Sequence, residues 1–282
     1  GTFLKQFQKQ KIIPAKPKKS FINYKKIKIN NDIDFKNKNE IILEYKILGL
    51  SKIYKFPIPF INNNPLNNSL VNNKIINKNN QNINKNENLK FSPNSKEINF
   101  NKKRVIIENP LIIPKGYVLK VYPGQELIFK KKGYLFSNSP IYFSGTNKKP
   151  IKIFGKSKGN SINIIDAQFK SNFSNVEFNN LSTDLSNKLP YSGGINIYNS
   201  DIEISNCIFN SNYSEDNINI VKSNFLILNS TFSESYSDAI DIDFSNGSLK
   251  NILVENSGND GIDFSGSEII MDNINVINSK DK

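Results

Sequence analysis

The sequence predicts an all-β fold, a parallel solenoid built from coils of about 22 residues, and three observations predict it. The first is a repeat: read back from Lys282, segments 195–217, 218–239, 240–261 and 262–282 align with one another at 23, 22, 22 and 21 residues. The second is the way each segment opens. Ile195, Ile218 and Ile240 each begin an Ile-x-Ile alternation, and Ile262 begins Ile-x-Phe, the period of a half-buried strand. The third is that apolar residues nowhere keep helical spacing within the repeats, and the Leu-x-x-Leu-x-Leu frame of leucine-rich repeats is missing. About six inward apolar side chains per coil, at ~1.5–3 kcal/mol each, do not offset ordering about 22 residues at ~1.5 kcal/mol each. A coil of this kind therefore needs neighbours stacked on both of its faces.

Taken from the start, residues 1–60 read as a small β-rich segment, the expected tail of an upstream domain. Its plausible strands are "YKKIKIN" (24–30), "NEIILEYKILGL" (39–50) and, running just past it, "KIYKFPIPFI" (52–61). Residues 61–104 read as an Asn-rich, low-complexity linker, with 14 Asn among residues 61–90. Residues 105–282 carry the solenoid. Leu119/Val121 and Leu127/Phe129 alternate around a Pro123-Gly124 turn, and Ile151/Ile153 follow Pro150. Each later coil has an Asn three positions before Phe or Val: Asn175/Phe178, Asn206/Phe209, Asn229/Phe232, Asn251/Val254 and Asn273/Val276. Residues 181–192 interrupt the period as an inserted loop. Stacked Asn amides hydrogen-bond along a β-stack, so this column is read as structural. The chain starts at Gly1 rather than Met and stops at Lys282 where another coil would begin, and it is expected to be a segment of a longer protein. Its last coil would then present an open strand edge prone to fraying or aggregation.

Composition excludes much chemistry. With no His, no Trp and one Cys (Cys207, read as a buried apolar residue), the chain has no Ser-His-Asp triad, no Cys-His pair, no His- or Cys-based zinc site and no internal disulfide. Any metal would be a hard cation on oxygen ligands. The net charge of +13 is carried almost wholly by Lys, with Arg104 the single Arg, so the residue favoured for phosphate and guanine contacts is nearly missing. The charge is also divided. Residues 195–282 hold 4 Lys against 14 Asp and Glu, a balance of −10, which leaves +23 on residues 1–194. Nucleic acid is not the expected partner, and no apolar run of the required length for a membrane-spanning helix exists.

The series "IPKG", "LKVYPGQELIF" and "GTNKKPIKIFG" (113–116, 119–129 and 145–155) resembles the opening coils of bacterial right-handed parallel β-helix proteins of the pectate-lyase-like superfamily. The resemblance covers residues 105–282. It implies a right-handed parallel β-helix, and its functional implication is broad, because that superfamily mixes lyases, hydrolases, epimerases, adhesins and stalks. The series "SEDNINI", "SDAIDIDFSNG", "GNDGIDFSGS" and "SKDK" also looks like the β-helix that follows spore-coat-H-like (CotH) kinase domains in some bacterial surface proteins. None of that kinase's catalytic motifs lies here.

Within the repeats the candidate chemistry is acidic. In Ile240-Asp241-Ile242-Asp243 the Ile side chains point inward, so the Asp side chains point outward. The repeat stacks Asn219, Asp241 and Asp263 in one column and Asp216, Asp238 and Asp260 in a second, in the turn before the strand. With strands ~4.8 Å apart, such carboxylates repel by a few kcal/mol and call for a cation, donors, a shared proton or solvent. One reading gives Asp238, Asp241, Asp260 and Asp263, joined by Asp243, to Ca²⁺ clamping an acidic polysaccharide, with Lys222 as the only basic residue at hand for proton abstraction. A second makes Asp241, Asp263 and Asp243 acid and base on a glycosidic bond. A third makes the Asp residues turn-forming scaffold. Tyr198, Phe225, Phe232, Tyr236 and Phe244 are candidates to line a sugar groove, although inward Phe is ordinarily core. The expected function is an extracytoplasmic bacterial protein, secreted or at the cell surface, that binds and processes polysaccharide through this face; the alternative is a non-catalytic stalk or adhesion module.

Overall fold

The computed structural model describes residues 41–46, 53–58, 89–92, 94–183 and 191–281. The chain divides into two compact units, residues 1–72 and 73–282. In the first, β1 (Ile41–Lys46) pairs antiparallel with β2 (Ile53–Ile58), inside the segments 39–50 and 52–61 that alternation marked as strands. The third expected strand, 24–30, and the Asn-rich stretch 61–88 lie outside the described residues.

The second unit is a parallel β-solenoid of about 8 turns with about 23 residues per turn, and its described residues contain no helix. Each turn contributes to three strand rows. Row one comprises β4 (Glu97–Phe100), β7 (Val118–Val121), β10 (Ile141–Ser144), β13 (Ser171–Ser174) and β16 (Ile202–Ser205). Row two comprises β5 (Arg104–Ile107), β8 (Glu126–Phe129), β11 (Ile151–Gly155), β14 (Val176–Asn179) and β17 (Ile208–Asn210). In the last three turns β19 (Asn224–Ser233), β21 (Asn246–Glu255) and β23 (Glu268–Ile277) run through both rows as single strands. Row three comprises β6 (Leu111–Ile113), β9 (Leu135–Ser137), β12 (Ile162–Ile165), β15 (Gly193–Tyr198), β18 (Asp216–Val221), β20 (Asp238–Asp243) and β22 (Ile262–Ser265).

The repeat alignment is the register. Ile195, Ile218, Ile240 and Ile262 stand one above another in row three, and Phe178, Phe209, Phe232, Val254 and Val276 do so in row two. The inward side chains form one continuous core. Phe143 stacks on Phe173 at 4.6 Å between centroids, Phe178 on Phe209 at 4.9 Å and Phe209 on Phe232 at 4.3 Å. Each such pair adds ~0.5–1.5 kcal/mol beyond area burial. Phe225 and Phe232, weighed as groove residues, are both core, and so is Cys207, whose thiol burial pushes up to about 12.

From β12 onward, a left-handed residue turns the chain at each corner between rows. Asn175, Asn206, Asn229, Asn251 and Asn273 occupy the corner between rows one and two, Asn180, Ser211, Glu234, Asn256 and Asn278 the next, and Asp166, Asn199, Lys222, Phe244 and Gly266 the third, all with φ between 47° and 62°. Asn dominates because its short polar side chain tolerates this conformation best among residues with a Cβ. A buried Ser ladder follows the third corner: the N–H groups of Ser200, Ser223 and Ser245 donate to the Oγ of Ser223, Ser245 and Ser267 at 3.0, 3.1 and 3.0 Å.

The solenoid begins before Val105. β3 (Leu89–Ser92) folds back antiparallel on β4, both within the stretch read as linker, and Phe91 packs on Tyr117 at 5.3 Å between centroids. Four-residue alternations set among Asn and Lys are too short to read as strands alone; pairing with β7 makes them so.

Candidate functional site

The site is built on the last three strands of row three. Asp216 and Asp238 are the first residues of β18 and β20 and stand in register, and Asn219, Asp241 and Asp263 stack as the repeat predicts. The same column continues upstream as Asn196 and Asn163. These residues point away from the Ile core, yet the column is not a uniform outer skin. Asn163 and Asn196 are fully buried, Asn219 is 4% exposed, Asp241 is half-buried and Asp263 is exposed.

The neutral end of the column satisfies itself. Asn163 Nδ2 donates to Leu135 O and Ser161 Oγ, while Asn196 Nδ2 donates to Asn163 Oδ1 at 2.9 Å and to Gly193 O at 2.6 Å. Gly193 N donates back to Asn196 Oδ1. Glycine is required there, because a Cβ would lie 2.9 Å from Asn196 Oδ1 and 3.1 Å from Asn219 Cβ.

At Asn219 the column turns ionic. Its Nδ2 donates to Asp216 Oδ2 at 2.9 Å, to Asp241 Oδ2 at 2.5 Å and to Ser192 Oγ at 3.1 Å, so one amide bridges two carboxylates. Its Oδ1 is buried without a hydrogen-bond partner. Burial raises Asp216 to about 6, with Glu215 and Asp238 adding to the rise and the bonds from Ser192 and Asn219 opposing it. Asp241 goes further, to about 7, first through burial and then through repulsion from Asp216, Asp243, Asp263 and Asp238. The bonds from Ser192 and Asn219 hold Asp216 back, whereas Asp241 faces four acidic neighbours. Asp243 is raised as well, by burial and then by Asp263.

The second column is engaged differently. Asp238 Oδ1 accepts from Asp260 N at 2.9 Å, Asn259 Nδ2 at 2.7 Å and Ser237 Oγ at 3.4 Å, the turn-forming role of an Asp. Carboxylate oxygens of Asp238, Asp260 and Asp263 lie within 4.8 Å of one another. These three, of the four residues expected to hold a cation, converge; Asp241 instead turns its Oδ2 to Asn219. Three carboxylates supply about half of the 6–8 oxygens that Ca²⁺ takes, the remainder being water or ligand.

Exposed aromatics around the acidic patch include Tyr213 and Tyr236, in the turns entering row three, Phe264 beside Asp263, and Phe244 at the corner leaving the row. Lys222 occupies the equivalent corner one coil earlier and is exposed. Tyr198 is half-buried, edge to face with Tyr191 at 5.2 Å, and burial pushes its hydroxyl up to about 12. Asn163, Asn196 and Ser192 were not singled out from the sequence. The signal for the first two is the triplet Ile-Asn-Ile at 162–164, 195–197 and 218–220, which becomes Ile-Asp-Ile at 240–242. Comparison of the chain with protein-family models, curated proteins and solved structures finds no match.

Proposed function

We propose that the protein is an extracytoplasmic bacterial β-helix protein that binds polysaccharide through the acidic end of row three. The observation that carries this reading is the placement of Asp241, Asp243, Asp260 and Asp263 on one face, flanked by exposed Tyr213, Tyr236 and Phe244. Carboxylates accept from sugar hydroxyls, and aromatic rings present flat apolar surface to sugar C–H faces. Asp238, Asp260 and Asp263 would hold Ca²⁺, which would link the face to acidic or hydroxylated glycan oxygens. For processing of the bound chain, Asp241 is the proton donor: a carboxyl raised to about 7 is protonated in about half of the molecules at neutral pH, where an ordinary Asp is almost wholly ionised, while Asp263 and Asp243 beside it supply the opposing carboxylate.

The test is a glycan array followed by calorimetry, with and without Ca²⁺, on the chain and on the double variant Asp241→Asn/Asp263→Asn. Binding that falls at least tenfold in the variant supports the assignment; unchanged glycan and Ca²⁺ affinity removes it. A second reading, a non-catalytic stalk or adhesion module, is favoured by the bonds to Asp238 from the turn that precedes β22 and predicts that Asp238→Ala lowers stability without changing any ligand affinity.

A further inference from the structure

We propose that the outward face of row two on its first three strands, β5, β8 and β11, docks on an anionic lipid membrane. Lysine-bearing corners bound this face on both sides. At the corner entering the row, Lys102, Lys103, Lys148 and Lys149 are all exposed. At the corner leaving it, Lys131, Lys132, Lys156 and Lys158 are exposed and Lys130 is partly so, on two successive turns. Among the described residues, only Lys131 of these nine has a carboxylate within ion-pair reach, Glu108 at 3.0 Å. The other eight repel one another and call for negative charge from outside the chain.

A buried amide braces each corner. Asn160, fully buried, accepts on Oδ1 from Lys156 N at 2.9 Å and Ser157 N at 2.7 Å, and its Nδ2 donates to Gly133 O at 2.7 Å. Ser157 Oγ accepts from Lys131 N at 3.0 Å, so the two turns leaving the row are tied together. At the entering corner Gln125 Nε2 donates to Lys102 O at 2.9 Å, and Gly124 N donates to Lys149 O at 3.0 Å. The backbone beneath the lysines is therefore set before any partner arrives, which lowers the ordering cost of binding.

The strip between the corners selects a membrane over a soluble polyanion. Its charged positions cancel, Arg104 with Glu126 at 3.6 Å and Lys152 with Glu177 at 3.0 Å. Its other outward column is apolar: Ile106, Ile128 and Phe154 stack across the three strands. Ile106 is 47% exposed, and Lys156 Nζ stands 5.3 Å from the centroid of the Phe154 ring. A polyanion would answer the lysines and leave this strip in water. A bilayer surface answers both, with headgroup phosphates on the lysines and the interfacial zone on Ile106 and Phe154. Charge also orients the contact, because residues 195–282, with a balance of −10, are repelled. The acidic site on β18, β20 and β22 then lies two to four coils beyond β11, ~10–19 Å along the axis, and faces solvent.

The chain has no Trp, so Ile106→Trp and Ile208→Trp each place a single reporter outward on row two. The first lies within the surface; the second lies beyond it, at a site 46% exposed. With vesicles of equal parts phosphatidylglycerol and phosphatidylcholine at low salt, Ile106→Trp is expected to shift its emission to the blue and to be quenched by brominated lipid. Ile208→Trp is expected to do neither, and added salt is expected to weaken the response. Added to the Ile106→Trp chain, Lys148→Glu/Lys149→Glu/Lys156→Glu/Lys158→Glu is expected to lower vesicle partition at least tenfold. The pair Asp241→Asn/Asp263→Asn is expected to leave partition unchanged, which separates this surface from the glycan site. An equal response of the two reporters, equal binding to phosphatidylcholine alone, or unchanged partition in the lysine variant overturns the proposal. So does tighter binding of polyphosphate or duplex DNA than of vesicles at the same phosphate concentration, which would make the surface a polyanion site.

Discussion

Two polar columns run through the same coils and meet opposite fates. At the corner between rows one and two, Asn229, Asn251 and Asn273 stack as an amide ladder in which Asn273 donates to Asn251 and Asn251 in turn donates to Asn229. In row three, Asn163, Asn196 and Asn219 start the same kind of column, but the next two positions are Asp241 and Asp263. An amide is donor and acceptor at once, so its column propagates and also suits the left-handed corner. A carboxylate only accepts, so its column ends on Asn219, which serves Asp216 and Asp241 together. Burial, and then the unmet repulsion beyond that point, lifts Asp241 to about 7. Two columns that differ by one atom type per residue thus divide into an amide ladder and an acidic patch.

The difference can be broken most sharply at Asn196. Asn196→Asp places a carboxylate at a fully buried position, removes the donor to Asn163 Oδ1 and Gly193 O, and is expected to cost about 3 kcal/mol at neutral pH. Urea unfolding at pH 7 and pH 4 checks it, with part of the loss recovered at the lower pH as the new acid takes a proton. A loss that is the same at both values would show that charge is not its cause. At the corner, Asn251→Ala puts a Cβ residue without a polar side chain at φ 54° and cuts the ladder on both sides, for about 1–2 kcal/mol. Asn251→Gly keeps the backbone at ease and isolates the ladder's share, which the same denaturation series reads out.

Asp241→Asn carries the amide column one step further and should stabilise the protein above neutral pH. The folded carboxyl titrates near 7 and the unfolded one near its ordinary 3.8, so folding takes up protons. The stability this group contributes is whole below pH 3.8 and is lost as pH rises through 7. Solvent reaches the half-exposed group, which reduces the span to on the order of 1 kcal/mol. In the variant the denaturation midpoint is expected to lose this slope between pH 4 and 7. A midpoint that still falls with pH as in the parent would assign the slope to Asp216 instead. The smallest effect belongs to the exposed pair Lys250–Asp272, at 3.0 Å, where Lys250→Ala is expected to change stability by less than ~0.5 kcal/mol in the same assay.

Much of this was legible from residue order. The period placed Ile195, Ile218, Ile240 and Ile262 in one row, and the stacking of Asp241 on Asp263 and Asp216 on Asp238 followed from it. The Asn column was read as a ladder, though not as a set of left-handed corners, because backbone φ leaves no period of its own. Strands β3 and β4 escaped notice among Asn and Lys, where four-residue alternation is not distinguishable from linker. Nor was the convergence of Asp238, Asp260 and Asp263 without Asp241 readable, since it depends on which way one amide donates.

The sequence by itself determined that this chain stacks coils, because a coil of about 22 residues cannot stabilise itself and the apolar period leaves a single register in which every coil covers the next. It also determined which polar residues share a column. Only the tertiary structure decided how much water each of them sees. Burial along row three runs from Asn163, fully enclosed, to Asp263, exposed, over strands whose local sequences are nearly the same. The proton affinity of Asp241 follows from its own burial and the summed field of neighbouring carboxylates, and both are properties of the stack rather than of any one coil.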